Sequence, residues 1–182
     1  MRTPVAILLC LGAAACGGAP EEKKAEEAPA LLPAGTWTVG SAITTLRSLD
    51  KTPPAIKAAV GDKDSLDVCV PKATPEPPPA MFAGTGYTCV YKSAYIKEGM
   101  LNATIDCRRP EIEGAIMMSV QGSYTATGFT GTADTTAYLP GAGDFAMSRK
   151  LTATVKPGAC TPPPPKGDDD EDQPSAVNKS GG

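Results

Sequence analysis

Few groups in this sequence can do chemistry, and the first fact about them is an absence: its 182 residues include six cysteines and no histidine. Without an imidazole, serine triads, Cys-His dyads, the common zinc sites and histidine acid-base catalysis are all excluded. Glu111 and Glu113 stand two apart, so in an extended chain they point the same way about 6.5 to 7 Å from each other, a spacing that glycosidase carboxylates use. Beside Gly114 nothing supplies the burial or charge that raises a carboxyl pKa, and a solvated loop is expected instead. Met100, Met117, Met118 and Met147 carry the soft sulfur that Cu(I) accepts. Met117 and Met118 are neighbours, however, and face opposite sides of a strand, so the inward one is expected to fill core. The run Asp168 to Asp172 lacks the glycine and spaced ligands of a calcium loop and reads as a solubilising tail. The basic pairs Arg108-Arg109 and Arg149-Lys150 read as charges guarding a sheet edge. No catalytic residue, metal or cofactor is expected. The net charge of -3 is mild and gives no footprint for nucleic acid.

That leaves the cysteines, which divide between a leader and a domain. The chain opens M-R-T-P-V-A-I-L-L-C-L-G-A-A-A-C-G-G: one positive residue, an apolar run from Val5 to Leu11, then small residues ahead of Cys16. A spanning helix needs about 20 apolar residues, and this run is shorter. The pattern resembles a bacterial lipoprotein signal, with Ala13 where leucine is usual. The resemblance implies cleavage before Cys16 and acylation of that residue with diacylglyceryl and amide-linked chains such as palmitate. At about 0.8 kcal/mol per buried CH₂, several chains on one cysteine anchor a protein to a membrane durably. Gly17 follows where an aspartate would favour the inner membrane, so the periplasmic face of the outer membrane is expected.

With Cys10 lost in the leader and Cys16 acylated, Cys69, Cys89, Cys107 and Cys160 remain, an even number in an oxidising compartment. Four cysteines allow three pairings. The stretch Tyr87 to Cys107 selects among them. Folded at Lys97-Glu98-Gly99, it forms a hairpin in which Cys89 faces Cys107, with Tyr91 opposite Ile105, Ser93 opposite Ala103 and Tyr95 opposite Leu101 on the core face. Val90 with Asp106, Lys92 with Thr104 and Ala94 with Asn102 then form the wet face. Opposed residues in an antiparallel pair sit within disulfide reach. Cys89 with Cys107 is therefore expected, and Cys69 with Cys160 follows by elimination. No Cys-x-x-Cys occurs, so no thioredoxin-like dithiol or zinc ribbon is indicated.

Around that hairpin the chain reads as an all-β domain. Gly35 to Thr44 alternates, with Trp37, Val39, Ser41 and Ile43 on one face. Thr52 to Gly61 carries a cap, early prolines and a closing glycine, which predicts the one short helix. Leu66 to Val70 is a strand, Pro71 to Pro79 a stiff proline-rich loop, and Arg108 to Gly114 a further loop. Strands over Ala115 to Tyr124, Phe129 to Tyr138 and Phe145 to Val155 follow, separated by short turns. The expected architecture is an antiparallel meander forming a curled sheet, sandwich or half-barrel with two disulfides. Residues 1 to 15 are then signal peptide, 16 to 34 a lipid-anchored tether, 35 to 160 the domain, and 161 to 182 a proline-rich acidic tail.

Gly35-x-Trp37, Val68-Cys69, Phe82, Gly86-Tyr87-x-Cys89-x-Tyr91, Cys107, Gly122-Ser123-Tyr124 and Gly158-x-Cys160 occur in an order that resembles DUF3617, a proteobacterial family of small four-cysteine periplasmic proteins and lipoproteins. Val70-Pro71 departs from the Leu-Thr that the family often has after its first cysteine, as do the proline-rich insertion and the acidic tail. The resemblance implies a secreted β domain and transfers no activity. The expected function is a non-enzymatic binding or structural domain of the envelope, its partner an envelope protein or a small apolar ligand. A lipocalin-like carrier is the alternative, and a carboxylate hydrolase a more remote one.

Overall fold

The computed structural model describes residues 28–162, so the leader, Cys16 and the acidic run lie outside the described residues. Within them, seven antiparallel strands form one curled half-barrel sheet: β1 (Gly35–Ser48), β2 (Lys63–Val70), β3 (Thr88–Lys97), β4 (Met100–Arg109), β5 (Ile112–Tyr124), β6 (Gly128–Ala137) and β7 (Phe145–Lys156). Their spatial order is β2-β1-β7-β6-β5-β4-β3. The meander from β3 to β7 folds back so that β7 pairs with β1, which leaves β2 and β3 as the two free edges. These edge strands are consecutive in the chain. Their connection carries the helix α1 (Ala80–Ala83), which touches both.

Alternation decides what lies inside. From β7, Phe145, Met147, Arg149, Leu151 and Ala153 are all buried while residues between them are more exposed. The outward threonines of β6 and β7, Thr130, Thr132, Thr152 and Thr154, are exposed. Curvature comes from a row that reads Leu101, Gly122, Gly131, Leu151 across four strands. A Cβ on either glycine would collide with a neighbouring strand's carbonyl oxygen, that of Thr130 or of Gln121. Glycine at both places lets the sheet bend where a flat one would leave a void. Phe82 of α1 fills the concavity, its ring 5.8 Å from that of Phe129, which in turn lies 5.9 Å from Trp37.

Both disulfides are formed, Cys89 with Cys107 and Cys69 with Cys160. The hairpin reaches this pairing by a different route from the one expected. Its turn is two residues, Glu98 and Gly99, both with positive φ (53° and 78°) as a type I′ turn requires, and Lys97 faces Met100. A bulge between Tyr91 and Ser93 then restores the expected register, so Tyr91 faces Ile105 and Cys89 faces Cys107. Between bulge and turn every expected pair is shifted by one: Ser93 faces Thr104, Ala94 faces Ala103 and Tyr95 faces Asn102. Ile96 takes the inward position, and Tyr95 is left 45% exposed.

The expected helix over Thr52 to Gly61 is absent; those residues form bends and a turn. Competing acceptors explain the difference. The amide and hydroxyl of Thr52 both donate to the Asp50 carboxylate, Ala55 N–H donates to the Gly143 carbonyl, and Ala59 N–H donates to Asp62. At the other end of the chain's first segment, Leu32 is fully buried and bridges Thr74, and Trp37 Nε1 donates to the Pro33 carbonyl. The packed unit thus takes in residues just ahead of Gly35.

Asp50 also accepts from the amides of Gly143 and Asp144, tying the loop after β1 to the loop before β7. These bonds, the Thr52 hydroxyl's first among them, hold its carboxyl well below the usual carboxylate range. A depressed folded-state pKa contributes stability above the unfolded value and loses it as pH falls through the folded one. Urea midpoints of wild type and Asp50→Asn should therefore differ most near neutrality and converge as pH drops below about 4. A gap that stays constant down to acid pH would show that the carboxylate's charge is immaterial to the knot.

Candidate functional site

The residues that could have paired for catalysis do not. Glu111 sits in the tight turn between β4 and β5, where Arg109 Nε donates to it at 2.6 Å and Nη2 completes an ion pair. Its own backbone amide, followed by the Arg109 guanidinium, holds the carboxyl below its usual value, the opposite of what a general acid needs. Glu113 is exposed. Met118 and Met147 are buried among core residues, whereas Met100 and Met117 are exposed, so their sulfurs do not gather. Tyr91 is committed too, its hydroxyl donating to the Pro77 carbonyl at 2.7 Å; burial pushes its pKa upward and Glu76 adds to that.

The feature that does stand out is Arg149, read from sequence as a sheet-edge charge and found inside the half-barrel. It is 5% exposed, on the inward face of β7, with Ile43 of β1 and Ala133 of β6 as register neighbours. Nη2 donates to the carbonyl of Phe82 at 2.9 Å and touches the Met118 sulfur at 3.6 Å. Nε is buried without a hydrogen-bond partner among the described residues, as is the hydroxyl of Tyr87. Among the described residues no carboxylate lies within ion-pair distance of this guanidinium. Burial pushes its pKa down, opposed by Tyr87 and Asp64, yet a guanidinium keeps its proton under any physiological condition. A buried cation without an ion pair is costly to maintain.

Around it lies a cleft of about 250 Å³, opening where α1 runs on toward β3 and the start of β2. Its apolar wall is Ile43, Ile56, Ala83 and Met147, and its polar side is Arg149, Tyr87 and Arg109, with Lys57 and Lys63 exposed at the mouth. Arg109 lies over the Tyr87 ring, 4.7 Å from its centroid. Asp64 closes the rim by accepting from the amide and hydroxyl of Thr85. Gly84 and Gly86 stand in the left-handed region, φ 83° and 78°; side chains there would press on the Arg149 and Arg109 guanidinium groups. The backbone is thus shaped around both arginines. One signal in the sequence points to Arg149: a lone cation at every-other-residue spacing within Phe145, Met147, Leu151 and Ala153.

A family model described as "Protein of unknown function (DUF3617)" matches residues 32–160. The match opens on Leu32, the residue whose burial begins the packed unit, and ends on the last disulfide cysteine. No curated protein and no solved structure matches the chain.

Proposed function

Since the chain belongs to the DUF3617 family of proteins of unknown function, we propose that it is a non-enzymatic binding domain of the cell envelope, lipid-anchored through Cys16 at the periplasmic face of the outer membrane. The observation that carries the binding role is the cleft at Arg149, where a buried guanidinium nitrogen and a buried phenol lack hydrogen-bond partners among the described residues. Fold stability alone does not favour such a residue, because an apolar side chain of similar length usually serves a core as well or better. The commitment of Glu111 to Arg109 supports a role without catalysis. At this cleft a bulky apolar ligand is disfavoured, because its volume is below the usual pocket range of about 300 to 1,000 Å³.

Anchoring rests on the leader and on the two disulfides, which suit an oxidising compartment. No helix among the described residues is long and apolar enough to cross a membrane. Serine at Cys16 is expected to move the protein from the membrane pellet to the soluble periplasmic fraction. Continued sedimentation of Cys16→Ser with membranes would place the attachment elsewhere.

A further inference from the structure

We propose that the Arg149 cleft binds a small organic monocarboxylate, its carboxylate held by Arg149 and Tyr87 and its short apolar body lying against Ile43, Ile56 and Met147. The inference rests on the binding role above and names its ligand class.

Four observations select that class. First, the donors that lack partners, Arg149 Nε and the Tyr87 hydroxyl, are both buried and both belong to the cleft lining. With Nη2 taken up by Phe82 and Met118, Nε offers one charge-assisted N–H and the phenol a second donor, so a ligand's two carboxylate oxygens would satisfy what the described residues leave open. Second, the wall facing them is hydrocarbon and thioether, which a bare inorganic anion would not use. Third, charge limits the ligand. With Arg109 committed to Glu111, the cations Arg149, Lys57 and Lys63 share the lining with the carboxylates Asp62 and Asp64, and this slight positive excess suits a monoanion better than a phosphate dianion. Fourth, a volume of about 250 Å³ is matched by a short-chain acid and is too small to enclose a lipid.

The Nη2 bond to the Phe82 carbonyl gives the site its rigidity. It fixes the guanidinium plane against α1, so the Nε–H is held in place without the rotamer entropy a free arginine would lose on binding. Gly84 and Gly86 keep the approach clear of side chains.

Calorimetric titration of the intact, oxidised protein with butyrate, hexanoate, hexanamide and inorganic phosphate tests this directly. The acids should bind and the isosteric amide should bind about tenfold more weakly, the margin expected when the bond to a buried guanidinium loses its charge assistance. Phosphate should be weaker than hexanoate. Arg149→Met, which keeps the apolar stem, should abolish binding of the acids, and Tyr87→Phe, which removes a single hydroxyl, should weaken it severalfold in a protein whose fold is unchanged. Equal binding of hexanoate and hexanamide, or acid binding that survives in both variants, overturns the proposal. Tighter binding of phosphate overturns the carboxylate class and leaves the binding role standing, whereas no heat with any of the four at millimolar concentration removes both. Attachment through Cys16 is read separately from fractionation.

Discussion

Alanine at both Cys69 and Cys160 is expected to lower the unfolding free energy by about 4.5 kcal/mol, against about 3 kcal/mol for alanine at both Cys89 and Cys107. The two bridges close loops of very different length, with sequence separations of 91 and 18, and a cross-link removes more freedom from the unfolded chain when the loop is longer. Topology adds to the difference. Cys69 lies on β2, a free edge paired only with β1, and Cys160 lies just beyond the end of β7 on the other side of β1. Thr36 of β1 has Cys69 and Lys156 as its two register neighbours, so the bridge spans the end of β1 and ties the edge strand to the middle of the sheet. The shorter bridge joins two strands already held by a tight turn and a ladder. Against a typical total of about 5 to 15 kcal/mol, the long bridge is a large share of stability. Urea unfolding of the two double variants measures both quantities. A larger loss from the 89/107 pair would mean that native packing at the hairpin, rather than loop entropy, dominates.

The sequence carries the sheet more clearly than the cleft, and the difference has a physical basis. Strand faces repeat every two residues, so Trp37 and Val39, or Ile116, Met118 and Val120, announce their side without knowledge of what covers them. Cys89 and Cys107 were legible for the same reason, although the hairpin needed a shorter turn and a compensating bulge that no local pattern shows. The misplaced helix is instructive. Thr52 to Gly61 has helical punctuation, but its donors are claimed by Asp50, Asp62 and Gly143, acceptors brought there by the fold. The real helix is a single turn after three prolines, too short to display a period. Arg149 and Tyr87 lie far apart in the chain and are brought to one cleft by the curved sheet, so their relation is invisible to spacing. What sequence does offer is Arg149's place in an apolar alternation, where a cation without an evident partner marks an exception worth explaining.

Phe82→Ala is expected to cost about 3 to 5 kcal/mol, the range for emptying a fully buried aromatic site. The ring is inaccessible and lies between α1 and the concave face of the sheet, against Phe129. Alanine preserves the carbonyl that Arg149 Nη2 binds, so the loss isolates the ring's packing from the hydrogen bond. Its effect should also be uneven. Because α1 touches β2 and β3, the two strands with an unpaired edge, amide hydrogen exchange there should accelerate before that of β5 and β6, which are paired on both sides. The cleft adjoins the same helix through Ala83, so the variant should loosen whatever grip Arg149 has on a ligand. A loss below about 1 kcal/mol, the scale of a surface substitution, would instead mean that the helix merely rests on the sheet. The half-barrel would then hold its shape through β1–β7 pairing and the two disulfides alone, and the connection between the edge strands would be free to move.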